Sequence, residues 1–311
     1  MRTLHSLDTI DLDADVVLTI GTFDGVHRGH HHLLARLLSC ARHTERLSAV
    51  LTFHPHPRAV RDPGLRPGYL STLEERTTIL KSLGLDLLVL LHFTRDLADT
   101  TAEDFARILY DRLRMRELWA GRGFAMGRHR EGSIGKLRSL AQQMGFTLRV
   151  VEPLYEGGKP ISSSRIREAL LVGHVGEAAK LLGRYYTLTG RVVPGAGRGR
   201  SLGFRTANLR TPMERAMPAN GVYAVWVLAG NERRQGVANV GVRPSFGTGE
   251  RLLEVHLLDQ EDDLYGKALV VEFVRYLRPE RRFGEVTELV RQIEQDVVDA
   301  RALLGTKVPS G

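Results

Sequence analysis

The chain has 311 residues, 42% of them hydrophobic and 26% charged, which excludes a disordered protein and gives length enough for two domains of roughly 150 residues each. No apolar stretch reaches the roughly 18 residues of a membrane span, and the acid-bearing start MRTLHSLDTIDLDADVV lacks a signal peptide's apolar core, so a cytoplasmic location without a membrane partner is expected. The single cysteine, Cys40, excludes an intramolecular disulfide and a Cys-rich zinc site, and the formal charge of +8 favours anionic partners.

In chain order, the β-branched run Val16 to Ile20 predicts a strand ended by Gly21, and the apolar spacing of Leu33, Leu34, Leu37, Leu38 and Ala41 predicts a helix over 31–42. A second strand is predicted over 49–53, a helix over 73–83 stopped by Gly84, and a buried parallel strand over 85–93 with LLVLL at its centre. Thr101 with Asp104 three residues on predicts a capped helix over 101–113, and a helix is expected from Ser164 to Leu182. Strands alternating with helices predict an α/β, doubly wound parallel sheet that binds ligands outside the carboxyl ends of its strands.

From about Arg184 the texture changes to short strand-like runs, over 187–193, 222–228, 235–240, 252–258 and 269–276, separated by Gly, Pro, Asn and Asp clusters. An amphipathic terminal helix follows over 283–304, marked by Val286, Leu289, Val290, Ile293, Val297 and Ala300. The expected domains are therefore 1–183 and 184–305, with 306–311 a tail. Aromatic residues make up only 6% and the arginines are dispersed, so composition favours small phosphate anions over nucleic acid, and Arg281-Arg282 reads as a solvated face.

The turn GTFDGVHRGH, residues 21–30, lies between the first strand and its helix, where backbone N–H groups and the helix dipole attract phosphate. Gly25 and Gly29 let phosphate approach the backbone, and His27 and His30 can donate hydrogen bonds as charge develops on phosphate oxygens. Chance placement is the plain alternative for an H-x-x-H spacing, and a metal set drawn from His27, His30, His31 and His32 is another, although no nearby Cys or carboxylate completes it. The segment Phe53-His54-Pro55-His56-Pro57 opens onto the same sheet edge, and Ser162-Ser163-Ser164-Arg165-Ile166-Arg167 places hydroxyls and arginines at the head of a helix.

Taken in this order, GTFDGVHRGH, FHPHP and ISSSRIR resemble the HxGH nucleotidyltransferase superfamily, specifically the adenylyltransferase half of bacterial bifunctional riboflavin kinase/FAD synthetases. The resemblance implies a Rossmann-like nucleotidyltransferase fold and transfer of AMP from ATP to FMN, with release of pyrophosphate and help from Mg2+. It implies that His27 and His30 stabilise the ATP phosphates, that Ser163, Ser164 and Arg167 hold the far phosphates, and that Gly21, Phe23, Asp24 and Gly29 shape the nucleotide pocket. In the family's G-x-[DN]-F-x-F-G segment this chain has Gly123 where the acid or amide stands and Met126 for the second Phe, so a polar contact to ligand is missing.

The β-rich half opens with a Gly/Arg-rich loop over 190–209 that matches neither the P-loop nor the G-x-G-x-x-G fingerprint, and a flexible surface turn is its plain alternative. Thr206 and Asn208, at alternate positions of an extended segment, point to one face and can offer oxygens to Mg2+. Glu254 lies among apolar neighbours, where partial burial makes a better base; an exposed strand carboxylate is the alternative. The ordered set of Gly-rich loop, T-A-N, NVGVRPSFG, LEVHLLD and DLYG strongly resembles the riboflavin kinase domain across nearly all of 184–304. That resemblance implies a six-stranded antiparallel Greek-key barrel and ATP-dependent phosphorylation of riboflavin to FMN. It further implies Thr206 and Asn208 as Mg2+ ligands, Glu254 as base, and Gly195, Gly197, Arg198 and Gly203 against the nucleotide, while the family's usual Pro is Arg205 here.

The expectation is a bifunctional enzyme whose partners are ATP, riboflavin, FMN and FAD; an oligomer is compatible with the sequence. Three alternatives remain: a riboflavin kinase with a weakened or inactive transferase domain, a transferase with another acceptor, and a basic nucleic-acid-binding regulator, which predicts steep salt dependence and no ATP turnover.

Overall fold

A computed structural model describes residues 1–8, 10, 12–62, 64, 66, 68–194, 204–242, 251–258 and 264–305, and its contacts divide the chain into Met1–Ser162 and Ser163–Gly311. The first unit contains strands β1 Arg2–Leu4, β2 Val16–Ile20, β3 Leu47–His54, β4 Leu87–His92, β5 Met115–Gly121, β6 Ala125–Met126, β7 Gly132–Ser133, β8 Thr147–Val151, β9 Tyr155–Glu156 and β10 Lys159–Pro160. Its helices are α1 Arg28–His43, α2 Pro57–Arg61, α3 Leu73–Ser82, α4 Arg95–Asp99, α5 Ala102–Arg112 and α6 Ile134–Met144.

Six strands form a sheet in the order β1-β4-β3-β2-β5-β8, every pairing parallel. Successive strand residues face opposite sides, and both sides are apolar. Val16, Leu18 and Ile20 of β2 join Phe105 and Leu109 of α5 and Leu137 and Leu140 of α6, whereas Val17 packs with Leu34 and Leu37 of α1 and Leu80 of α3. This is the doubly wound sheet expected. Its central strand β2 has β3 on one side and β5 on the other, so the crevice beyond its carboxyl end is the topological place for a ligand.

The second unit holds α7 Ser163–Leu171, α8 Val175–Leu182, β11 Tyr186–Val193, β12 Thr206–Arg210, β13 Gly221–Ala229, β14 Glu232–Val242, β15 Arg251–Leu257, β16 Ala268–Arg278 and α9 Val286–Gly305. The single helix expected from Ser164 to Leu182 is two helices. Gly173, at φ +78°, takes the left-handed conformation that ends α7, and a Cβ there would stand 3.0 Å from the Tyr276 ring. The six strands close into a barrel in the order β11-β12-β15-β14-β13-β16. Here β13, β14 and β15 follow as neighbours and β16 returns beside β13, the Greek-key order. Tyr223 and Val225 of β13 are buried in alternation with Val222 and Ala224, which pack with Ala300 and Leu304 of α9. The terminal helix therefore covers one outer face of the barrel.

Candidate active sites

The helix after the first turn begins at Arg28 and not at His31, so His27 caps it and Gly29 and His30 lie in its first turn. The His30 N–H donates to His27 Nδ1 and the His27 N–H donates to His30 Nδ1, each at 3.3 Å. The rings stack with centroids 3.7 Å apart, and Phe23 lies against His30 at 4.9 Å. A neutral imidazole that accepts at Nδ1 carries its proton on Nε2, so both rings are hydrogen-bond donors at the positive end of a helix with no acid in its first turn. Gly29 is set by packing: a Cβ there would stand 3.1 Å from His27 Nδ1 and 3.3 Å from the Ile161 carbonyl oxygen. At Gly21 a Cβ would meet the Phe23 ring at 3.1 Å.

Phe23 and Asp24 face inward. Phe23 packs with Val26, Leu34 and Leu37, and the Asp24 carboxylate accepts the amides of Leu70 and Ser71 at 3.0 and 3.1 Å, so both shape the turn from behind. Among the described residues no three of His, Cys, Asp and Glu are arranged to hold a metal ion.

A cavity of about 470 Å3 opens beside Gly21 and Thr22, walled by the rings of Phe53, Phe93, Phe105 and Phe124 and by His56, Arg58, Arg61 and Arg130. The FHPHP segment thus reaches it through Phe53 and His56, the latter capping α2. Gly123 and Met126 also border it, and a Cβ at Gly123 would have nothing within 4 Å. Arg58, Arg61 and Arg130 carried no local motif; they follow from the fold alone. Ser163, Ser164 and Arg167 belong to α7 in the second unit.

In the barrel, strand register assembles the second site. Asn208 of β12 lies opposite Glu254 of β15, which lies opposite Asn239 of β14; the next rung on the same face is Thr206, His256 and Val237. Side chains at i and i+2 share a face, so Thr206, Asn208, Asn239, Glu254 and His256 form one polar patch, while the intervening Ala207, Val255 and Ala238 are buried on the other face. Asn208 Oδ1 is buried without a hydrogen-bond partner among the described residues. Glu254 is half-buried and Thr206 exposed. A cavity of about 380 Å3 lies between this patch and α9, lined on the far side by Arg281, Phe283, Leu289, Ile293 and Asp296.

Arg278 of β16 closes a bidentate pair with the buried Asp296 of α9 at 2.8 and 2.7 Å. Arg281, exposed as expected of a solvated face, also lies over the Phe283 ring at 4.5 Å and lines the cavity, because the turn after β16 carries it there. His256 Nδ1 is 2.8 Å from the Arg205 carbonyl oxygen, clipping the residue that precedes Thr206. Gly195, Gly197, Arg198 and Gly203 lie outside the described residues.

Comparison with known proteins gives a family model described as FAD synthetase over residues 9–165 and one described as riboflavin kinase over residues 182–304. A bifunctional riboflavin kinase/FMN adenylyltransferase of Escherichia coli strain K12 is 38% identical over 313 residues, 100% of this chain and 99% of its own length. Another of the same description, from Pseudomonas fluorescens, is 39% identical across 92% of both chains. A crystal structure described as a macrolide-efflux protein from Streptococcus pneumoniae superposes with a TM-score of 0.89 at 31% identity, covering 96% of this chain and 98% of its own. No helix among the described residues here is long and apolar enough to cross a membrane.

Proposed function

This chain belongs to the bifunctional riboflavin kinase/FMN adenylyltransferase family, and from that premise we propose how its two halves divide the work. The enzyme phosphorylates riboflavin with ATP to give FMN, and transfers AMP from a second ATP to FMN to give FAD and pyrophosphate. We assign the kinase to residues 184–305 and the adenylyltransferase to 1–183. Its partners are ATP, riboflavin, FMN and FAD, in the cytoplasm, with neither nucleic acid nor membrane.

The buried Asn208 Oδ1, without a hydrogen-bond partner among the described residues and opposite Glu254, is the observation that carries the kinase assignment. A buried oxygen acceptor without a donor is costly unless something binds it, and a hard cation fits it. Asn208 and Thr206 are therefore the residues that would hold Mg2+, which, when bound, neutralises charge on the nucleotide phosphates. Glu254, half-buried and opposite Asn208, accepts the proton of the riboflavin hydroxyl as its oxygen bonds to the γ-phosphorus of ATP and the bond from that phosphorus to the β,γ-bridging oxygen breaks, releasing ADP. The cavity under α9, with Phe283, Leu289 and Ile293 on one side and the polar rungs on the other, takes the flavin with its hydroxyl chain toward Glu254.

In the other half, a phosphate oxygen of FMN attacks the α-phosphorus of ATP and pyrophosphate leaves. The Nε2–H donors of His27 and His30 meet the charge that grows on the phosphate oxygens. The ring-walled cavity with Arg58, Arg61 and Arg130 suits an aromatic flavin bearing a phosphate.

The test is chromatographic analysis of riboflavin, FMN and FAD over time, with purified protein, ATP and Mg2+, and a parallel reaction started from FMN. Both products are expected. Glu254→Gln should slow FMN formation by about 100-fold or more and leave FAD formation from FMN unchanged; neither product from the native chain would sink the reading.

A further inference from the structure

We propose that Arg76 is a positioning residue for adenylyl transfer: from behind residues 22–26 it ties the ends of β2 and β3 together and holds the turn that presents His27 and His30. This rests on the adenylyltransferase reading above.

The turn cannot hold itself. Phe23 at φ 47°, Gly25 at φ 79° and Val26 at φ 34° all sit in the left-handed region, which glycine tolerates but a β-branched valine does not. Strained residues of this kind persist only where the surroundings over-determine them. The surroundings here are one short segment, residues 70–76, at the start of α3. The Leu70 and Ser71 amides donate to Asp24 at 3.0 and 3.1 Å, and Ser71 Oγ both donates to Asp24 at 3.3 Å and accepts the Gly25 N–H at 3.0 Å. Thr72 and Glu75 form a reciprocal cap, so the brace is itself fixed.

Arg76 completes it. Its Nη1 donates to the Thr22 carbonyl at 2.8 Å and reaches Thr52 Oγ1 and the Phe53 carbonyl, each at 3.4 Å. Thr22 starts the histidine turn and Phe53 starts the segment that walls the neighbouring cavity, so one guanidinium sets the spacing between the two. The residue is 2% exposed, and its Nε has no hydrogen-bond partner among the described residues. A guanidinium so buried and incompletely bonded is poor value as a stabiliser, since an apolar side chain of similar size packs there at lower cost. Burial pushes its pKa down while the nearby Asp24 opposes that change. The geometry it imposes is therefore its role, and its charge also favours phosphate at the turn.

The experiment compares native protein with Arg76→Met, Arg76→Lys and Ser71→Ala. It measures kcat and KM for ATP in the FMN to FAD reaction, riboflavin phosphorylation by the same samples, and hydrogen exchange at the Gly25 and Val26 amides. Arg76→Met should lower kcat for FAD about 10- to 100-fold, with a smaller change in KM and kinase activity retained, because misplacing a reacting group by about 1 Å costs on that order. Arg76→Lys should recover part of the loss, and Ser71→Ala should speed exchange at Gly25. If Arg76→Met does not fold in its first unit, the lysine and Ser71→Ala variants carry the same expectations in weaker form. Unchanged kcat in Arg76→Met, a lysine variant no better than methionine, or unchanged exchange in every variant would overturn the proposal. Native protein that makes no FAD overturns the transferase reading instead, and the exchange data still decide whether Arg76 holds the turn.

Discussion

Replacing Gly29 by Ala separates stability from activity in one half of the molecule. The residue sits in the first turn of α1 with its backbone outside the left-handed region, so alanine adopts the conformation without strain. Helix propensity then favours alanine by up to about 1 kcal/mol. Against that, the new methyl stands 3.1 Å from His27 Nδ1, 3.2 Å from His27 Cε1 and 3.3 Å from the Ile161 carbonyl oxygen, contacts that require a neighbour to give by a few tenths of an ångström. The carbonyl belongs to backbone, so the imidazole yields. It can move only by unstacking from His30, whose ring is 3.7 Å away, or by lengthening cap bonds already at 3.3 Å. If 1 Å of misplacement costs about 100-fold, a third of that costs about 5-fold, or about 1 kcal/mol of transition-state stabilisation. Gly29→Ala should therefore melt at or above the native temperature, make FMN at the native rate and make FAD roughly 3- to 10-fold more slowly. Native-rate FAD formation would refute the claim that His27 must keep this position.

Asn208→Leu removes a buried acceptor that has no partner among the described residues, so the metal-free protein should be as stable or about 1 kcal/mol more so by urea unfolding, while FMN formation falls about 100-fold or more; a destabilised variant would mean that Asn208 is already satisfied. Gly123→Asp places its Cβ in open space beside the flavin-sized cavity, so stability should stay within about 0.5 kcal/mol and the FMN to FAD rate should rise. An unchanged rate would show that the missing polar group is dispensable. Tyr223, which donates to the Ala219 carbonyl inside the barrel, has its pKa raised by burial and then by Tyr276. A raised acid pKa favours the neutral form in the folded state, so its contribution is full below the ordinary tyrosine value of about 10 and is lost as pH rises beyond it. Unfolding of the second unit between pH 8 and 11 should therefore show a smaller alkaline drop in Tyr223→Phe than in the native chain, and equal drops would contradict the burial effect.

What the sequence made readable was local. The runs around Val17 and Leu88 are short and apolar on both faces, the run around Val255 alternates, and Thr101 with Asp104 is a capping pattern that needs no tertiary knowledge. The start of α1 was hidden because its cap is histidine, outside the usual Ser, Thr, Asp and Asn, and because a glycine follows in the first turn. The break between α7 and α8 was hidden because one glycine costs a helix only about 1 kcal/mol, and what makes Gly173 a stop is Tyr276 pressed against it. His27 with His30 and Thr206 with Asn208 are local pairs that a sequence displays directly, whereas the placing of Asn208 opposite Glu254 is a matter of strand register.

The polar residues behind the two sites share a property. Arg76, Asn208 and Asp296 are 2%, 6% and 3% exposed, and Asp24 is 1% exposed; Asp24 and Asn208 stand in local motifs, whereas Arg76 and Asp296 are polar side chains where the sequence pattern marks nothing. Asp24 and Arg76 back the histidine turn, Asp296 ties α9 to β16 across the barrel cavity, and Asn208 faces Glu254. Patterning rules describe what keeps a core dry. A site that must hold charged phosphates needs groups behind it that break those rules and are held in place by bonds made across long stretches of chain, as between Thr22 and Arg76. Such bonds leave no period, spacing or local motif, and for that reason buried polar exceptions point more directly to the working parts of this enzyme than the composition of its surface does.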